Sequence, residues 1–311
     1  MRTPEKPIII VGTGRCGSTM FQRVLARHKD VGWLSTFNEV FPSQLWLSIF
    51  SNLYGTPLPI RIKHLPFFPK PFEAYDFWKH YLPEFKRRDR PLTADDVPAE
   101  AIEPIRHAVR EILRFQRRTR FLAKVTGWSR MPYFDRLFPD ALFVHIRREH
   151  RAVISSKLQR GWHVTNAFGT DRWPWGEVRP EYERAWRELG GGPLLSAAVK
   201  AQLDLDDIAK GFEEFPDRSY ELRYEDLISR PLDTLRAVTD FCELRWDADW
   251  EDEIRSIDFF DTRDNWKKHL SAEEGERVLE FFARVERGKS APVGTALDTR
   301  KLAQSALGDR M

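Results

Sequence analysis

The run Ile8-Ile9-Ile10-Val11 passes directly into Gly12-Thr13-Gly14-Arg15-Cys16-Gly17-Ser18-Thr19. Gly12 and Gly17 carry the G-x-x-x-x-G spacing of a phosphate-holding turn, and Met20-Phe21-Gln22-Arg23-Val24-Leu25 continues with a helical apolar pattern. An apolar strand, a glycine turn and a helix start in that order aim several backbone N–H groups at one anion. The turn lacks one part of the nucleoside-triphosphate version, because Ser18 stands where that motif has its lysine. Its fixed cation is Arg15, whose planar fork sits inside the turn. Such a loop is expected to hold a phosphate through Gly14, Arg15, Cys16, Gly17, Ser18 and Thr19. It argues against an ordinary ATPase or kinase.

A second anion site is written into Phe143-Val144-His145-Ile146-Arg147-Arg148-Glu149-His150-Arg151-Ala152-Val153-Ile154-Ser155, an apolar strand passing into a helix. Arg147 at the strand end and Ser155 two turns into the helix can close around one phosphate, with the arginine fork matching its oxygens. Arg148 and Arg151 read as solvated. Two more segments follow, Tyr224-Glu225-Asp226-Leu227 after an apolar strand, and Thr262-Arg263-Asp264-Asn265-Trp266-Lys267-Lys268-His269-Leu270.

In this order the four segments resemble sulfotransferases that use 3′-phosphoadenylyl sulfate (PAPS). The motif style is nearest the tyrosylprotein and carbohydrate branches and their bacterial relatives, which carry arginine at the place of Arg15. The likeness covers most of residues 7 to 285 apart from 41–120 and 161–192. It implies that the loop holds the 5′-phosphosulfate, that Arg147 and Ser155 bind the 3′-phosphate, and that Tyr224 contacts the adenine. Glu149-His150 departs from the usual Asp-Pro. Arg263, Lys267 and Lys268 are expected to fold over the nucleotide, without the Arg-Lys-Gly triplet of the aryl-type enzymes.

The resemblance also assigns chemistry. Glu39 lies where several branches place a catalytic glutamate, and shelter from Trp33, Phe37 and Phe41 is expected to raise its pKa toward one suited to a base. Lys124, at a strand end, is expected to touch the sulfuryl group. Gly127 and Trp128 stand where the aryl branch has its histidine. His28 and Cys16 read as packing residues rather than catalysts. A sulfuryl group carries less charge than a phosphoryl group, so amides, Arg and Lys can neutralise it and no metal is required. The expected reaction moves the sulfuryl group of PAPS to a hydroxyl of a carbohydrate, lipid or other small molecule and releases adenosine 3′,5′-bisphosphate (PAP). Two alternatives remain. A P-loop nucleotide kinase predicts Mg²⁺-dependent ATP binding, and a non-catalytic nucleotide-binding relative binds the bisphosphate and transfers nothing.

These residues need a scaffold. Strand-like runs at Ile8–Gly12, Phe121–Val125, Ala141–Ile146 and Ser219–Arg223 alternate with helical patterns at Ser18–Arg27, Pro98–Arg117, Met131–Leu137, Glu149–Gln159, Pro193–Phe215, Pro231–Phe241 and Ala272–Glu286. Such alternation predicts an α/β fold with a central, mostly parallel sheet flanked by helices. The 311 residues, 41% hydrophobic, are expected to form a single domain over 1–311. Between Phe41 and Arg90 the text turns aromatic, predicting an acceptor-side insertion or lid within about 41–120, and 161–192 reads as a loop over the site. The tail from Gly288 lacks strong periodicity.

Fifty basic against 47 acidic residues gives local anion sites rather than a nucleic-acid-coating surface. Cys16 and Cys242 are far apart, no Cys/His spacing suits a metal, and no apolar run reaches the roughly 20 residues of a membrane span. With no room for a signal peptide before the first strand, a cytoplasmic protein without integral membrane association is expected.

Overall fold

The computed structural model describes residues 5–56, 58–63, 65–161 and 173–290. From the N-terminus the elements run β1 (Ile8–Val11), α1 (Ser18–Leu25), β2 (Val31–Trp33), α2 (Thr36–Val40), a 3-10 stretch (Leu45–Gly55), a helical turn (Ile60–Lys63), α3 (Tyr75–Tyr81) and α4 (Ile102–Gln116). There follow β3 (Arg120–Lys124), α5 (Met131–Leu137), β4 (Leu142–Arg147), α6 (His150–Gln159), α7 (Pro180–Glu188), α8 (Gly192–Glu214), β5 (Ser219–Arg223), α9 (Tyr224–Ser229), α10 (Pro231–Phe241), α11 (Ala248–Arg255) and α12 (Ala272–Ser290).

The five strands form one parallel sheet in the order β2-β3-β1-β4-β5. A parallel strand covered on both faces needs a continuous apolar run, and Ile8–Val11 supplies it, every residue fully buried in the central position. Alternate residues feed two cores. Ile8 and Ile10 pack with Phe21 and Val24 of α1 and Leu195 and Ala198 of α8, whereas Ile9 and Val11 join Val109 and Ile112 of α4 and Phe134 of α5. The chain leaves β1 toward β2 and leaves β4 toward β5, so the connections diverge between the neighbours β1 and β4. Open α/β sheets bind ligands at the carboxyl ends of strands where this happens.

The α/β fold and the four expected strands are present, each within about a residue of its predicted bounds. Strand β2 was not predicted, because Val31-Gly32-Trp33 is too short to show a period. Tertiary contacts define it: buried Gln116 of α4 accepts from Trp33 N at 2.9 Å and donates to Trp33 O at 2.7 Å.

The aromatic insertion needs correcting in part. Phe77, Trp78 and Phe85 are fully buried, with Trp78 stacked on Phe85 and edge-on to Phe134, ring centroids 5.2 Å apart in each pair. They are core. The 3-10 stretch and the segment after it keep the surface role, leaving Trp46, Phe50 and Phe67 exposed. The predicted loop at 161–192 also contains α7, which Pro180 opens at its first turn in the manner proline favours. Residues 162–172, with Trp162, lie outside the described residues, as does the tail beyond Ser290.

Trp78→Ala is expected to lower the unfolding free energy in a urea titration by about 3–5 kcal/mol. A lid residue on the surface would change it by less than about 0.5 kcal/mol.

Candidate active site

The loop between β1 and α1 turns through the left-handed region at Gly14 (φ 71°), Arg15 (φ 61°) and Gly17 (φ 93°). Gly17 is obligatory for a second reason: a Cβ there meets Tyr224 Cδ2 at 2.3 Å. Arg15 holds a conformation that side chains rarely adopt, and such strain persists only where the surroundings over-determine it. Cys16 is buried beneath the turn and burial pushes its thiol pKa up, which suits packing rather than nucleophilic chemistry. The first N–H groups of α1 have no partner within the helix and open toward the turn.

Arg15 is drawn across to the β4–α6 junction, where its Nε donates to Ser156 Oγ at 2.9 Å. Arg148 comes from the same junction: Nη1 donates to Arg15 O at 3.3 Å and Nη2 to Thr262 O at 2.8 Å. Its guanidinium lies 4.4 Å from the Tyr224 ring centroid, and the Tyr224 hydroxyl bonds Thr262 Oγ1 at 2.7 Å. Burial, then the like charges of Arg160 and Arg148, push the Arg15 pKa down. A site that works against its own cation gains most when an anion arrives.

The predicted pair, Arg147 and Ser155, is not brought to the loop. Arg147 ends β4 on the other side, half exposed and 3.7 Å from Glu221 of β5, because neighbouring residues of an extended chain point to opposite faces. Ser155 is buried and accepts from Gln159 at 3.2 Å. Arg148 and Ser156 have the same eight-residue spacing and both line the cavity. The doublets Arg147-Arg148 and Ser155-Ser156 made the spacing ambiguous. Arg148, expected to be solvated, is instead tied into the site.

The cavity beside the loop has a volume of about 430 Å³ and is lined by Arg15, Arg23, Arg27, Lys63, Lys70 and Arg148, with no acid among the described lining residues. Gly17, Ser18, Thr19 and Ser156 add polar groups, while Met20, Val24, Tyr54 and Ile257 form its apolar wall. Tyr224 supports this wall from behind Gly17 rather than lining it. Arg263, Lys267 and Lys268 do not line the cavity: Arg263 is held by Asp261 at 2.6 Å, Lys267 by Asp264 at 2.8 Å, and Lys268 is exposed. That C-terminal segment reaches the site through Thr262 instead.

On the β3 side of the loop, Lys124 is 4% exposed and its Nζ donates to Thr19 Oγ1 at 2.8 Å. The same ammonium lies 2.9 Å from Glu73 Oε1. Glu39 sits nearby on α2, where its Oε2 accepts from Asp76 N, at the start of α3, at 2.8 Å. Burial raises the Glu39 pKa, the amide bond opposes this, and the charge of Asp76 raises it further. Sequence reasoning missed Arg148, Ser156, Thr262 and Glu73; only the first two left a signal, in their spacing.

The pattern that defines the Sulfotransferase family matches residues 7–248, and the chain belongs to that family. It is an enzyme that transfers a sulfuryl group. Among solved structures it is similar to the sulfotransferase STF9 from Mycobacterium avium, with 16% identity over 91% of this chain and 76% of that one, TM-score 0.55. It is also similar to STF1 from Mycobacterium tuberculosis H37Rv, with 16% identity over 90% and 76% of the two chains, TM-score 0.50. At these identities the likeness is one of fold. No curated protein sequence matches the chain.

Inorganic pyrophosphate is expected to raise the unfolding temperature of the wild type and of Arg147→Ala, and to lose most of that effect on Arg148→Ala. The reverse pattern in a thermal-shift titration returns the phosphate site to Arg147.

Proposed function

We propose that the donor is PAPS and that the chain, as one sulfotransferase domain, transfers its sulfuryl group to a hydroxyl of a small-molecule, saccharide or lipid acceptor, releasing PAP. The observation that carries this reading is the joining of two anion sites by Arg15, Ser156 and Arg148. A nucleotide with phosphate at both 3′ and 5′ positions needs two such sites side by side. The amides of Gly17, Ser18 and Thr19 with Arg15 take the 5′-phosphosulfate, while Arg148 and Ser156 take the 3′-phosphate. The apolar wall at Met20, Val24 and Ile257 suits a purine, with Tyr224 acting through Arg148 and Gly17 rather than on the base.

Sulfuryl transfer leaves negative charge on the oxygen departing with the 5′-phosphate. Arg15 and the loop amides stand where that charge develops and stabilise it without reorganising. Lys124, through its contact with Thr19, faces the sulfuryl oxygens. Glu39, its pKa raised by burial, holds the start of α3 beside Lys124's partner through the Asp76 amide. Six cations around the cavity supply the neutralisation for which phosphoryl transfer recruits a divalent metal, so no metal is assigned. The absence of the loop lysine speaks against a nucleotide kinase. Two unpaired, buried cysteines fit a reducing, cytoplasmic setting.

Incubation with [³⁵S]PAPS and an extract of the source cells is expected to label a small molecule, and the labelling persists in EDTA. Arg15→Ala reduces the rate by about 10²–10³-fold, as removal of a charge-stabilising donor does. Mg²⁺-dependent ATP turnover with no sulfur transfer would favour the kinase instead. Glu39→Gln is expected to lower turnover while leaving PAP affinity, read by calorimetry, intact; full activity removes Glu39 from the reaction site.

A further inference from the structure

Glu73 lies in the aromatic insertion, where nothing in its sequence surroundings marks it. It stands two residues before α3 and reaches the end of β3. Its carboxylate is 2.9 Å from Lys124 Nζ, and Thr126 Oγ1 donates to it at 3.3 Å. Its backbone is fixed as firmly. Buried Trp78 donates through Nε1 to Glu73 O at 3.2 Å, and Ala74, the next residue, is fully buried in a left-handed conformation (φ 52°). A strained, non-glycine residue beside a charged side chain is the sort of feature found where position matters to function.

Lys124 links Glu73 to the reacting centre. An ammonium has three N–H donors; Thr19 Oγ1 and Glu73 take two, which leaves one for a sulfuryl oxygen. The Glu73 side chain retains 20% exposure against 4% for that of Lys124, so the pair has its cation inside and its carboxylate toward solvent. Glu39 differs: its Oε2 is committed to the Asp76 amide.

We propose that Glu73 is the catalytic base, a role that rests on the sulfotransfer reading above. The acceptor hydroxyl approaches the sulfur from the side opposite the 5′-phosphate and passes its proton to a Glu73 carboxylate oxygen. A new O–S bond forms as the S–O bond to the phosphate breaks, and the electron pair stays on the phosphate oxygen beside Arg15. Lys124 holds base and sulfuryl group at a fixed separation, and the Glu73 proton then leaves to solvent through its exposed edge. Glu39, in this arrangement, orients the N-terminus of α3 through Asp76 and so positions Glu73 three residues earlier.

The test compares Glu73→Gln, Glu73→Asp and Glu39→Gln by the rate of PAP release from PAPS with the extract fraction that the wild type labels, across a pH series. Wild-type turnover is expected to fall on the acid side as the base becomes protonated. Glu73→Gln is expected to lose about 10²–10⁴-fold in rate, the usual contribution of a general base, and to lose that acid limb, while PAP affinity stays within about twofold and Glu73→Asp recovers part of the rate. Glu39→Gln keeps the limb with a smaller loss. Retention of the limb in Glu73→Gln, or a loss of PAP affinity and thermal stability that matches the loss of rate, overturns the assignment in favour of a purely structural ion pair. Disappearance of the limb in Glu39→Gln alone makes Glu39 the base. Failure of the wild type to release PAP from PAPS overturns the sulfotransfer reading itself, and this assignment with it.

Discussion

Arg148 lying on the ring of Tyr224 is the contact on which the site depends. Through it the β4–α6 junction, the start of α9 and the segment around Thr262 are tied to one guanidinium. Arg148 also donates to the carbonyl of Arg15, so the position of the phosphate loop is set from outside the loop. Bringing Arg148 and Arg15 together is unfavourable for both charges. The aromatic face beneath one and the serine hydroxyl beside the other offset part of that cost. The remainder makes the cavity receptive to an anion before any ligand enters, which is the preorganisation that charge stabilisation in a reaction requires.

The parallel sheet makes this convergence possible. Strands β1 and β4 are neighbours in register from Ile8 against Leu142 to Val11 against His145, so the loops that follow them leave the sheet at the same level and side. Strand β3, on the other flank of β1, delivers Lys124 to Thr19 by the same logic. Three strand ends thus supply three kinds of group: amides and Arg15 after β1, a second arginine and a serine after β4, and a lysine with its carboxylate partner at β3. None of these groups lies close in sequence to the others.

What was legible in the sequence follows from range. The all-apolar Ile8–Val11 run and the glycines after it are local signals with one physical meaning, and they located the loop correctly. The proposed second anion site was legible as a motif but not as a register, since doubled arginines and serines satisfy the same spacing twice and only the direction of the chain beyond β4 separates them. The pairing of Arg263 and Lys267 with Asp261 and Asp264, two and three residues away, was legible in principle, as nearby opposite charges pair on a surface. Glu73 was not legible, because its partner Lys124 is brought to it by the packing of Trp78, Phe85 and Phe134 across the second core. The same packing explains why an aromatic-rich stretch divides into core and surface: composition counts rings, while burial depends on which of them α3 turns inward.

Stability and function make the same demand at Gly17, whose φ of 93° and close approach to Tyr224 both exclude a side chain. Any side chain there collides with Tyr224, and the ring can yield only by moving away from beneath Arg148. Arg148 would then lose its aromatic support and its place against Arg15 O, and the loop would relax from the left-handed turn at Arg15. A protein so altered would lose the two proposed phosphate sites together, because one guanidinium holds both in place. The glycine spacing in this loop is therefore as much a demand of Tyr224, more than two hundred residues away in sequence, as of the anion the turn encloses.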